Sequence, residues 1–265
     1  MTIHPMLIPT LALAVAAFVL GLRLSRNWNR IRGWRTAVFI GSCCLGIPGA
    51  FFAFYYTHLL DDWVSLYRLR ALPGSELAFG VLALPAGMLS GRLGRIPRIL
   101  FATLAVAAAF LPFVKPILAP LDYSSMTERW NDGVCIQSSA ATCGPSSATT
   151  ILAIYGDEEI TEQLLAREAY SYQGGTECWH LARAVRKRGF EVDFAIYDEG
   201  LPQKIDTPII AGVRLGDIGH FITILEQNGD ELVIGDPLSG RKTASRAEFQ
   251  RSYKFTGFFM SIRPR

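Results

Sequence analysis

Acidic residues are nearly missing from the first 122 positions: Asp61, Asp62, Glu76 and Asp122 stand alone against eleven Lys and Arg. Charged residues make up about a quarter of an ordinary soluble domain, so that composition is excluded for this half. No Lys or Arg precedes Arg23. The basic start of a cleaved secretory signal is therefore lacking, and the first apolar run is expected to stay as a membrane span. The five cysteines, at 43, 44, 135, 143 and 178, form no C-x-x-C pair, which argues against a structural zinc site. There is no G-x-x-x-x-G-K-[ST], hence no P-loop ATPase in these 265 residues. A basic folded face is absent too. The net charge of +3 splits into about +7 for residues 1–122 and about −4 for 123–265, and the positive part lies in short loops between apolar runs. That is not a nucleic-acid footprint.

What the chain does have is apolar length. Half of its residues are hydrophobic, and a bilayer core takes about 20 apolar residues as a helix. Four runs are candidates, at 6–24, 36–60, 77–91 and 99–115, giving an all-α transmembrane region over 1–122. The third is short and holds Pro85, so it reads as a kinked span or a re-entrant segment. Its Gly87 and Gly91 have the G-x-x-x-G spacing of close-packed helices. Arg23, Arg26, Arg30, Arg32 and Arg35 fill the first loop, and Arg92, Arg95 and Arg98 the third; the second mixes Arg68 and Arg70 with acids. The positive-inside rule puts the first and third loops in the cytoplasm. With four spans, in a bacterial inner or plasma membrane, residues 123–265 face outward; a third run that fails to cross puts them inside. His58, Asp61 and Asp62 gather near the end of the second run and are read as an interfacial loop ahead of a metal or proton site.

Residues 115–132 form a linker, and from there the pattern changes. A helix is expected from Cys143, with Thr142 as its N-cap and Pro145 in its first turn. A second is expected over 161–170, with Leu164 and Leu165 inward and Glu162, Arg167 and Glu168 outward, and a third over 177–188, stopped by Gly189. Strands are expected at 191–197, 208–215, 220–226, 231–235 and 257–262, with a short helix at 247–253. Asn228-Gly229 marks a hairpin. Helices first and strands later indicate an α+β domain with an antiparallel sheet.

Cysteine chemistry needs an activated sulfur, a base, and donors for the developing oxyanion. Cys143 sits where a helix N-terminus favours negative charge. Of the four histidines, His4 and His58 lie in the apolar half, while His220 opens the strand Phe221-Ile222-Thr223-Ile224-Leu225. Asp236 comes sixteen residues later, beyond the hairpin turn, where the returning strand brings it beside His220. This is the base–orienter pair of a nucleophilic site. Gln137, six residues before Cys143, offers an amide N–H to an oxyanion, as does the Cys143 backbone.

The segment Gln137-Ser138-Ser139-Ala140-Ala141-Thr142-Cys143-Gly144-Pro145 resembles the Q-x5-C-G signature of peptidase family C39. Gly219-His220-Phe221-Ile222 and Gly235-Asp236-Pro237 resemble that family's second block. The resemblance covers about residues 130–265. It implies a papain-like fold, with Gln137 as oxyanion residue, Cys143 as nucleophile, His220 as base and Asp236 as its partner. It implies no cofactor and no metal. The best-known members are N-terminal domains of peptide exporters that cut leader peptides after a double glycine. This chain departs from them by lacking a P-loop, by placing the peptidase after the spans, and by loop charges that put it outside. The expected function is that of a membrane-anchored cysteine endopeptidase acting on an exported peptide or protein, in possible company with secretion machinery. A substrate-binding or assembly module of the same fold, and a transglutaminase-like acyl transferase with the same Cys, His, Asp order, are the alternatives.

Other residues read more plainly. Cys135 and Cys178 form either a disulfide in an outward-facing domain or two buried thiols. His180 is a core or surface histidine, Arg186-Lys187-Arg188 the solvated end of a helix, and Gly174-Gly175 a loop and not a self-cleavage site.

Overall fold

The computed structural model describes residues 3–26, 33–56, 63–157 and 159–265. The chain divides into two compact units, Ile3–Asp61 with Leu72–Ile117, and Asp62–Ala71 with Leu118–Arg265. The cluster His58, Asp61 and Asp62 and the end of the second expected span lie outside the described residues.

The first unit is helical: α1 (Leu7–Arg26), α2 (Arg35–Tyr55), and, after a segment that belongs to the other unit, α4 (Leu77–Val81), α5 (Ala83–Ser90), α6 (Arg95–Phe110) and α7 (Val114–Leu118). Three stretches among the described residues are long and apolar enough to cross a membrane, Leu7–Arg26, Arg35–Tyr55 and Arg95–Leu118. Three, not four, of the expected runs are single helices of spanning length: the third run breaks at Leu82 into two short helices. Pro85 lacks the N–H that would bond the carbonyl of Val81, so a single continuous helix loses a bond there.

Glycine sets the packing of this unit. A Cβ on Gly87 would meet the Phe18 carbonyl oxygen at 2.2 Å, one on Gly80 the Thr10 oxygen at 2.8 Å, and one on Gly91 the Ser25 side chain at 2.5 Å. The pairs rise together, 10 with 80 and 25 with 91, so α4–α5 runs parallel to α1. Gly49 lies against Ala78, and Gly46 against Leu82 and Pro85, so α4–α5 runs antiparallel to α2. Backbones that approach this closely exclude any side chain at the contact.

The second unit begins with α3 (Val64–Arg70). Its Arg68 makes a two-pronged pair with Asp193, Nε to Oδ1 at 2.7 Å and Nη2 to Oδ2 at 2.8 Å. The Tyr67 ring packs on Phe194 and Phe258. The guanidinium groups of Arg183 and Arg186 donate to the carbonyls of Arg70 and Ala71, at the C-terminal end of α3, where a helix favours positive charge. Nothing in the apolar pattern of the sequence anticipated this docking. It also corrects the reading of Arg186 as solvated, since its guanidinium serves the Ala71 and Val192 carbonyls.

The remainder is α+β, as expected. A hairpin of β1 (Arg129–Asn131) and β2 (Val134–Ile136) precedes α8 (Cys143–Ile154), α9 (Glu162–Glu168) and α10 (Cys178–Lys187). A six-stranded sheet follows: β3 (Phe190–Ile196), β4 (Ile209–Leu215), β5 (Ile218–Asn228), β6 (Glu231–Asp236), β7 (Gly240–Ser245) and, after α11 (Arg246–Ser252), β8 (Lys254–Pro264). The strand order is β3-β8-β4-β5-β6-β7, antiparallel throughout. The first hairpin and β7 were not foreseen: β1 and β2 are only three residues each, and Gly240–Ser245 has no apolar alternation. Central β5 is covered on both sides. Ile222 and Ile224 pack with Leu201, Phe249 and Tyr253 on one face, while Thr223 meets α8 on the other. Each such buried Ile contributes about 1.5–3 kcal/mol.

Candidate active site

Small residues bring α8 down onto β5. A Cβ on Gly144 would lie 3.3 Å from Leu181 and 3.4 Å from Phe221. The Ser147 hydroxyl donates to the Phe221 carbonyl at 3.3 Å, and the Thr223 hydroxyl returns a bond to the Ser147 carbonyl at 3.4 Å. These contacts hold the N-terminal end of α8, and with it Cys143, beside the start of β5, where His220 stands. Cys143 is half-buried, whereas Cys135 and Cys178 are buried; all three thiols are free, so the disulfide alternative is not realised. Burial pushes the Cys135 thiol up to about 12 and Cys178 well above its ordinary range. Both are poor nucleophiles for that reason.

Thr142 does not cap α8 with its side chain. Its hydroxyl bonds the Ser139 carbonyl at 2.9 Å and accepts from the Ser139 N–H at 3.3 Å, closing the turn before the helix. The N-terminal N–H groups of α8 are thereby left uncovered by that hydroxyl.

His220 and Asp236 are buried neighbours at the same end of β5 and β6. Nε2 of His220 lies 2.9 Å from Oδ1 of Asp236, and the Cys143 thiol is near enough to the imidazole to raise its pKa. The hairpin argument thus placed base and orienter correctly in space. Desolvation pulls the His220 pKa down, but the bonds to Asp236 and to Cys143 outweigh it and raise the imidazole to about 9. At neutral pH the ring carries its proton. Burial likewise works against an ionised Asp236, yet the bonds from His220, the Leu238 N–H and the Tyr253 hydroxyl hold the carboxyl well below the usual range.

Asp236 is saturated with donors. Leu238 N–H reaches Oδ1 at 3.0 Å, the Ser239 hydroxyl reaches Oδ2 at 3.0 Å, and the Tyr253 hydroxyl reaches Oδ2 at 2.7 Å. Lys242 Nζ lies 3.5 Å from Oδ2 and donates to the Tyr253 oxygen at 3.1 Å. Tyr253 and Lys242 were missed in the sequence because they arrive from β7 and the end of α11, whose positions beside the carboxylate only the sheet order reveals. Burial, then the adjacent carboxylate, raise the Tyr253 phenol far above its normal range.

Gln137 is buried in the same site, after β2. Its backbone N–H donates to the Pro237 carbonyl at 2.9 Å, tying it to the residue that follows Asp236. Its Nε2 donates to the Ser139 carbonyl at 2.7 Å, and its Oε1 has no hydrogen-bond partner among the described residues. The carbonyl of Ser139 fixes this orientation, because the reversed amide would set oxygen against oxygen. The second N–H of Nε2 is left to donate. Glu162, expected to face outward, is instead buried beneath this segment. His180 is in the core. Arg188 bridges Asp157 and Glu168 at 3.6 Å each, again not a free surface charge.

Over 135 residues the chain is 28% identical to the lactococcin-G-processing and transport ATP-binding protein LagD of Lactococcus lactis subsp. lactis, covering 50% of this chain and 19% of that one. It is also 28% identical over 134 residues to an uncharacterized protein of Methanothermobacter thermautotrophicus, covering 49% of this chain and 88% of the other. Among solved structures, a double glycine motif protease from an AMS/PCAT transporter, in complex with its leader peptide, aligns at 24% identity and TM-score 0.44 over 53% of this chain and all of that one. The peptidase domain of Streptococcus ComA aligns at 24% identity and TM-score 0.44, over 49% and 96%. The chain thus spans about a fifth of the Lactococcus protein. The profile of the Peptidase C39 family matches residues 132–265, half of the chain, and the chain belongs to that family of cysteine peptidases.

Proposed function

We propose that this chain is a membrane-anchored cysteine endopeptidase that processes an exported peptide or protein, with Cys143 as nucleophile, His220 as acid and base, Asp236 as orienter and Gln137 as oxyanion donor. The observation that carries the reading is the buried His220–Asp236 pair at 2.9 Å, with the one half-exposed thiol of the domain near enough to raise the imidazole pKa. The sulfur, its proton resident on His220, attacks the scissile carbonyl. The carbonyl oxygen becomes an oxyanion, met by Gln137 Nε2–H and the Cys143 N–H. His220 passes its proton to the leaving amine, and the C–N bond breaks to give a thioester. Water then attacks, His220 takes its proton, and the carboxylic acid leaves as the sulfur is regenerated. The substrate class follows from kinship with proteins named for leader processing and transport. Secretion machinery that delivers the peptide is the corresponding partner.

The peptidase is placed on the extracytoplasmic face. Supporting this, α3, which follows the second span in the chain, packs on the peptidase sheet, so α3 and the sheet belong to one face of the bilayer. If Arg95–Leu118 crosses, residues 77–94 must then cross as well. The parallel run of α4–α5 beside α1 is what a crossing requires. Its fourteen helical positions span about 21 Å at 1.5 Å per residue, short of a bilayer core and accommodated by local thinning. The arginine-rich loops then fall together on the cytoplasmic side.

Incubating the purified full chain with a proteome-derived peptide library, with and without added cadaverine, tests the chemistry. New termini with free carboxylates in wild type and none in Cys143→Ala support hydrolysis; amide adducts without hydrolysis refute it in favour of acyl transfer. For placement, an alkaline phosphatase fusion after residue 265 is expected to be active, and a fluorescent protein fused there dark. The opposite pair puts the peptidase inside.

A further inference from the structure

We infer that Glu162 is a positioning residue for the oxyanion donor, an inference that rests on the peptidase reading above. Glu162 is 1% exposed, at the first position of α9. Its carboxylate accepts three contacts from one residue: the Ser138 N–H at 2.9 Å to Oε1 and 3.1 Å to Oε2, and the Ser138 hydroxyl at 2.7 Å to Oε2. Ser138 is the neighbour of Gln137. The Gln137 N–H is held by the Pro237 carbonyl from the other side. The peptide units on both sides of Gln137 are thus anchored, one to the Asp236 strand end and one to α9. The Gln137 amide is in turn locked by the Ser139 carbonyl, within the same turn.

A buried carboxylate is costly unless it is hydrogen-bonded, and these bonds are of the charge-assisted kind that are shorter and stronger than neutral ones. What the cost secures is the rigid placement of a donor that has to meet an oxyanion within a few tenths of an ångström. A surface Glu or an apolar residue at 162 would serve α9 as well, so the helix itself does not explain the burial. Thr161 already caps α9, accepting from the Leu164 N–H at 3.2 Å.

The test separates the oxyanion step from sulfur reactivity. Alkylation of Cys143 by iodoacetamide needs the Cys143–His220 pair and no oxyanion hole; amide hydrolysis needs both. In the full chain, Glu162→Ala is expected to lower kcat on a fluorogenic Gly-Gly-aminomethylcoumarin peptide at least tenfold, with KM and the Cys143 alkylation rate within twofold of wild type. Glu162→Gln restores most of kcat, because its amide accepts the Ser138 N–H and donates to the hydroxyl. A second readout needs no turnover: in chain labelled with 15N-glutamine, the Gln137 side-chain amide, assigned through Gln137→Glu, is expected to lose its dispersed shift in Glu162→Ala. If Glu162→Ala does not fold, Ser138→Ala must move the same signal. A wild-type protein that leaves the probe intact speaks against that peptide or the peptidase reading, and the amide signal then decides alone. An unmoved Gln137 signal, or alkylation that slows in step with kcat, overturns the inference.

Discussion

The two units of this chain use hydrophobic residues in opposite ways. In the helical unit, Ile8, Leu45 and Ile96 are 74%, 63% and 82% exposed, and the closest contacts between helices are made at glycine, around a small core of Ala14, Phe18, Ala83, Ala105 and Ala109. In the peptidase unit, Ile222, Ile234 and Phe259 are sealed between α11 and the sheet. Water drives large apolar side chains inward. A bilayer gives them no such reason, and helices there gain by bringing backbones together through small residues. Apolar content alone therefore does not locate a core; the solvent decides which face of an element is the inner one.

The contrast is sharpest at the glycines. Gly87→Val places a Cβ 2.2 Å from the Phe18 oxygen and is expected to abolish the folded helical unit, read as loss of monodisperse chain in detergent, while leaving Cys143 alkylation in the surviving fraction unchanged. Simultaneous loss of both would mean that the units do not fold independently. In the peptidase unit the largest effect falls on the imidazole. His220→Ala is expected to slow hydrolysis about 10²–10⁴-fold, followed by release of the fluorophore from the peptide probe.

Hydrolysis by wild type should also fall as pH rises through about 9, because the leaving amine needs the proton that His220 loses there. The protonated form persists through neutral pH and disappears through the folded value of about 9, while the stability it contributes is complete below the ordinary histidine range and is lost across that rise. On the acid side Asp236, held low, stays ionised through the ordinary carboxylate range, so a titration of its carboxyl 13C signal centred near pH 4 would contradict the pairing. Tyr253→Phe removes one charge-assisted bond to Asp236 and is expected to cost about 1.5–3 kcal/mol, measured by denaturation, and to raise the pH at which Asp236 protonates. The smallest effect returns to the helical unit: Gly41 has nothing within 4 Å of a built Cβ, so Gly41→Ala should stabilise α2 by about 0.5–1 kcal/mol.

Much of the site was legible because it is local or hairpin-coded. Gln137 and Cys143 share one loop, and Asn228-Gly229 fixes how β5 and β6 return His220 to Asp236. Three features were not. For the break at Leu82, Pro85 already marked a kink in the sequence, but not that the run would part into two short helices. The burial of Glu162 runs against every expectation for a carboxylate, and only its tertiary partner Ser138 accounts for it. The docking of α3 depends on Asp193, Arg183 and Arg186, more than a hundred positions away, and no periodicity in 64–70 encodes it.

The central claim, a Cys143-dependent peptidase on the outer face of a membrane, is tested most directly by mapping protein N-termini in the native cells for wild type and Cys143→Ala. The account predicts new N-termini in exported proteins that are present in wild type and missing in the variant. Identical N-terminal maps, with the variant protein folded and in the membrane, would contradict it.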